Sequence, residues 1–156
     1  MADETVLLTK EKHLLIAVDE ANSSRRAVLY VADVLGGVPG FTVTLLSVIP
    51  SPEADFFDTD EEMRAWLKEK TDEANQVLED YRRILVRAGF PEANVNYRAC
   101  VGESKSLSDA ILDTHCDRCT LVVGRSHKSK DEEFLFGSTS SRLIHEAKNR
   151  AVWVVE

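Results

Sequence analysis

Gly124, His127 and the pair Gly137-Ser138 stand at a spacing that could hold an anion. Two residues separate the first from the second and nine the second from the third, in the stretch "VGRSHKSKDEEFLFGST". A loop that leaves a strand and opens into a helix offers unpaired main-chain N–H groups and the positive end of the helix dipole. Glycine lets an oxygen approach where a Cβ would collide, and the Ser138 hydroxyl adds a donor, with Thr139 directly after it. The plainer reading makes Ser138 an N-cap and Gly137 a turn residue. Arg125, Lys128 and Lys130 supply local positive charge against Asp131, Glu132 and Glu133, which reads equally as a solvated charged loop.

Other chemistries find less support. "HCDRC" holds a C-x-x-C, Cys116 and Cys119, with His115 beside it, but there is no second cysteine pair to complete a zinc cage. Ordinary semi-buried thiols are the better reading, and the odd count of three cysteines fits a reducing compartment. No H-x-x-x-H or H-E-x-x-H pair occurs, nor a G-x-S-x-G elbow or a G-x-x-x-x-G-K-[ST] loop. Phosphoryl transfer needs a lysine or a metal-holding carboxylate beside the phosphates, and Asp19 is the well-placed carboxylate.

These residues need a scaffold, and the whole chain bounds it. With 156 residues, 44% hydrophobic and 29% charged, it reads as one soluble globular domain over 1–156. A net charge of −8 gives no general basic field to draw in nucleic acid or anionic lipid. No segment approaches the roughly 20 apolar residues of a membrane span, and the N-terminus lacks a basic region followed by a long apolar stretch. The expected location is cytoplasmic.

Short runs rich in Val, Ile and Leu alternate with helical patterns. "HLLIAV" (13–18) and "TLVVG" (120–124) read as strands buried on both faces, and "FTVTLLSVI" (41–49) as a strand closed by Pro50. "ANVNYRACV" (93–101) alternates as a strand with one polar face, and "AVWVVE" (151–156) is a last strand. Asn22, Ser23 and Ser24 are good caps for a helix carrying Ala27, Val28, Val31, Ala32 and Leu35 up to Gly36-Gly37. "PSPEADFFDTDEE" (50–62) reads as an acidic surface loop, followed by a long helix from Met63 that stops at Gly89. Shorter helices follow Glu103 and span Ser138 to Asn149. The alternation predicts an α/β, Rossmann-like open sheet of five parallel strands with helices on both faces. In an order 3-2-1-4-5, the reversal falls between the first and fourth strands, so Asp19 and Gly124 flank one crevice.

The spacing around Gly124 resembles the universal stress protein family, whose ATP-binding branch carries Gly, two residues, Gly, nine residues, Gly, then Ser or Thr. His127 replaces the middle glycine. "LLIAVDEANSS", "VTLLSVIP", "GESKSLSDAI" and "STSSRLIHEAKNRAVWVV" extend the resemblance over essentially the whole chain. It implies a stress-response regulatory protein that binds ATP and is not an enzyme. Ala17 and Asp19 would meet the adenosine end, and the main chain of Val48 would read the adenine edge. Gly124, Arg125 and His127 would line the phosphates, with Gly137, Ser138 and Thr139 at the cradling helix. An imidazole at 127 either blocks the close approach glycine permits or donates a hydrogen bond to phosphate. The family also implies a homodimer through the last strand, Ala151 to Val155. The competing readings are a same-fold protein acting only through protein contacts, and a slow ATPase with Mg²⁺ on Asp19.

Overall fold

The apolar run at His13–Ala17 becomes the middle strand of a sheet because side chains at successive positions can be buried on both of its faces. The computed structural model describes residues 12–18, 22–53, 55–102, 111, 119–125, 143–148 and 150–156. Within them the order is β1 (His13–Ala17), α1 (Asn22–Leu35), β2 (Thr42–Pro50), α2 (Asp60–Ala88), a 3-10 turn (Glu92–Asn94), β3 (Val95–Gly102), β4 (Thr120–Gly124) and β5 (Val152–Val155). All four strand pairings are parallel, as the alternation predicts, and the order across the sheet is β3-β2-β1-β4-β5, the expected 3-2-1-4-5.

Alternate side chains of the strands feed two separate cores. On one face Leu14, Ile16, Val43, Leu45 and Val122 pack with Ala27, Val28 and Val31 of α1 and with Leu78, Tyr81 and Leu85 of α2. On the other, Leu15, Ala17, Leu46, Leu121 and Val123 pack with Ile111 and Leu143, the latter in the helical residues 143–146. Each fully buried Leu or Ile here contributes roughly 1.5–3 kcal/mol of transfer free energy.

The start of α2 corrects one expectation. The helix begins at Asp60, three residues inside the segment read as loop. Thr59 is the N-cap, its Oγ1 accepting from the Glu62 amide at 3.2 Å, while the Glu62 carboxylate accepts from the Asp58 amide at 3.3 Å. Apolar periodicity starts only at Met63, so the first turn is set by this reciprocal cap and by Asp60, Glu61 and Glu62 facing the dipole. At the other end Gly89 takes φ 119° as the C-cap, and a Cβ there would sit 2.6 Å from the Gly37 amide nitrogen. The ends of α1 and α2 therefore meet glycine against glycine.

Edge strand β3 is occupied at its head. Arg82 of α2 donates from Nε to the Val95 carbonyl at 3.2 Å and from Nη2 to Glu92 at 3.1 Å. The first bond ties α2 to the sheet where pairing with another strand would otherwise start, and the second ties it to the 3-10 turn that leads into β3.

His13 opens β1 at the edge remote from the strand C-termini, its Nε2 2.8 Å from Thr44 Oγ1. Burial pushes its pKa below the usual imidazole value. The unfolded chain therefore binds this proton more readily than the folded one. The resulting stability is present above about pH 6.5 and is lost as pH falls through the folded pKa. Thermal unfolding should thus show a steeper loss of midpoint from about pH 7.5 to about pH 5.5 in the wild type than in His13→Gln. Parallel profiles would remove His13 as the cause.

Candidate functional site

The sheet's carboxyl edge is built from the ends of β1, β2 and β4. β1 pairs β2 up to Ala17↔Leu46 and β4 up to Ile16↔Val122, so the same register carried two residues further sets Val18 beside Gly124. The chain runs outward from β1 through β2 to β3 on one side, and returns to β4 and β5 on the other. This is the switch point at which open α/β sheets bind ligands.

Gly124 has a packing role of its own. A Cβ at this position would overlap the main-chain carbonyl of Ser23 in the first turn of α1. Ser23 and Ser24 are buried in spite of their hydroxyls, because the start of α1 is pressed onto the end of β4. The glycine is what lets helix and strand approach so closely.

Arg125 is anchored at three points. Its amide donates to the Val155 carbonyl at 2.7 Å, its carbonyl accepts from Arg26 Nη2 at 3.1 Å, and its guanidinium forms an ion pair with the Glu156 carboxylate. Sequence reasoning did not single out Arg26 or Glu156. Glu156 reaches the site only through the β4–β5 register, Gly124↔Val155, and Arg26 only through the placement of α1 over β4.

Main-chain direction decides what Val48 can do. Val18 donates to the Leu46 carbonyl at 2.8 Å, so the polar main-chain groups of Leu46 face β1. Those of Val48, two residues on, face the same side, beyond the last β1–β2 pair. Their direction suits recognition of a planar donor–acceptor edge in the plane of the sheet. The Ala17 side chain is buried in a core, so its contribution to this edge is its main chain.

The structure thus brings Ala17, Val48, Gly124 and Arg125 to one edge. Asp19, His127, Gly137, Ser138 and Thr139 lie outside the described residues, as does Cys116. Cys100 is half-buried and Cys119 buried, both against the core that holds Ile111 and Leu143. Among the described residues there is no group of three side chains able to hold a metal ion. None of their helices is long and apolar enough to cross a membrane.

The model of the Universal stress protein family matches residues 11–156. The search of curated proteins returned no match. Among solved structures, universal stress protein UspA from Lactobacillus plantarum aligns with a TM-score of 0.68 at 16% identity, covering 93% of this chain and 97% of its own. A universal stress protein in complex with cAMP aligns with a TM-score of 0.64 at 17% identity, over 93% and 96%. The universal stress protein from Archaeoglobus fulgidus in complex with dAMP gives 0.54 at 17%, over 92% and 96%.

Proposed function

Since this chain belongs to the universal stress protein family, we propose that it is a regulatory protein that binds ATP at the carboxyl edge of its sheet and works as a homodimer in the stress response. The observation that carries this reading is the meeting of the β1 and β4 ends at the switch point, with the Val48 main chain aimed past the end of β1. The cAMP and dAMP held by the two related structures support an adenine nucleotide as the ligand class. Val48 would read the adenine edge, with Ala17 and Asp19 at the ribose. Gly124, Arg125 and His127 would line the phosphates, and Gly137, Ser138 and Thr139 would cradle them. Mg²⁺, if it accompanies ATP, would be held by Asp19.

One observation favours a second reading, in which the protein acts through protein contacts alone. The Arg125 charge is already paired with Glu156, so it is not standing ready for phosphate. Incubating the pure protein with ATP and separating the nucleotides distinguishes the readings. Retained ATP supports the first, and no retention supports the second. ADP formed above a protein-free control supports a slow ATPase instead.

The dimer would form along β5. Ala151 accepts from Leu121, and Val155 accepts from Arg125, so the main-chain groups of Trp153 between them also face β4. Those of Val152 and Val154 point to the outer edge of the sheet. Their side chains already pack against one core and that of Trp153 against the other. Antiparallel main-chain pairing of two copies would therefore carry the interface. Val154→Pro deletes one outward donor per chain. Two lost hydrogen bonds at about 1 kcal/mol each should weaken the dimer about 30-fold. Light scattering over a concentration series measures this, and an unchanged dimer constant would place the interface elsewhere.

A further inference from the structure

The segment between β2 and α2 leaves a large apolar side chain in water for no purpose of the fold. Phe56 is 70% exposed, more than any other large apolar residue described. Its ring meets Phe57 edge to face, with centroids 4.9 Å apart and planes at 81°. Phe57 in turn lies 5.7 Å from Trp66 on the first turns of α2. The three rings form a row that starts on a helix and ends in solvent.

This row is held in place. The Phe56 amide donates to the Glu53 carbonyl at 3.0 Å, and the Thr59–Glu62 cap fixes the chain just after Phe57. A fixed aromatic surface loses little conformational entropy when something covers it.

The charge around it selects the occupant. Glu53, Asp55, Asp58, Asp60, Glu61 and Glu62 are all exposed, and no Lys or Arg occurs from Ser51 to Met63. The helix dipole accounts for Asp60, Glu61 and Glu62 in the first turn of α2. It does not account for Glu53, Asp55 and Asp58, which flank the exposed ring. A second copy of this chain would bring the same carboxylates face to face, and nucleic acid or an anionic membrane would be repelled. A basic protein segment with an apolar side chain to set on Phe56 satisfies both features.

We propose that the Phe56–Phe57–Trp66 row, with the exposed carboxylates that flank Phe56 and Phe57 along the chain, is a docking surface for a basic, amphipathic segment of a partner protein.

Trp66 can report its occupancy. The chain has two tryptophans, so Trp153→Phe leaves Trp66 as the sole indole emitter. The probe is a synthetic helical peptide of Lys and Leu without aromatic residues, titrated into the Trp153→Phe protein at low salt. A saturable change in Trp66 emission is expected. It should weaken about tenfold with Phe56→Ser, weaken as salt is raised, and vanish when the peptide's Lys are replaced by Glu. Phe56 is exposed, so Phe56→Ser should keep the wild-type circular dichroism. No saturable change would overturn the proposal. Equal binding by Phe56→Ser would also overturn it, by reducing the attraction to net charge. A fall in the protein's mass by light scattering on Phe56→Ser would assign the row to self-association instead.

Discussion

Gly124→Val is expected to lower the thermal unfolding midpoint by about 6–12 °C. The added Cβ overlaps the Ser23 carbonyl, which is helix main chain and cannot swing aside as a side-chain tip could. Relief requires α1 to lift from the end of β4, loosening Ala27 and Val28, which are fully buried against the sheet. Overpacking of this kind costs up to about 3 kcal/mol, and each kcal/mol moves the midpoint by about 2–4 °C in a domain of this size. The clash is at Cβ, so Gly124→Ala should lose nearly as much, although valine is the better strand former. Differential scanning calorimetry of both variants measures this. A shift below about 2 °C would mean that α1 and β4 do not meet as closely as described.

Gly137→Val should fail in the opposite way. Its place at the phosphate helix rests on the family spacing from Gly124, since Gly137 lies outside the described residues. If that spacing holds, a branched side chain fills space reserved for phosphate oxygens. ATP affinity should then drop at least about 100-fold, near 2.7 kcal/mol, while the thermal midpoint stays close to wild type. Two glycines of one motif would thus separate, Gly124 by stability and Gly137 by ligand affinity. Equal ATP affinity in Gly137→Val and wild type would remove Gly137 from the site.

Much of this scaffold was legible in the sequence because burial on both faces leaves a mark. Runs such as "HLLIAV" and "TLVVG" can be nothing but interior, and helical spacing between them forces parallel crossovers. The first turn of α2 was missed because its signal is a cap, Thr59 with Glu62, rather than hydrophobic periodicity. At the carboxyl edge, Gly124 was placed by spacing and topology, and Ala17 and Val48 by the family resemblance alone. The partners of Arg125 were not, because Arg26 is 99 residues and Glu156 31 residues away along the chain. No local pattern encodes such pairings. The packing reason for Gly124 was hidden likewise, since a sequence shows that a glycine is present and not which backbone crosses it.

The most direct test of the central claim is calorimetric titration of ATP into wild-type protein stripped of bound nucleotide. Saturable heat with a single ATP bound per chain is the predicted result, reduced or lost in Gly137→Val. Absence of saturable heat, from protein whose circular dichroism shows it folded, would contradict nucleotide binding and leave a universal stress protein that acts through protein contacts alone.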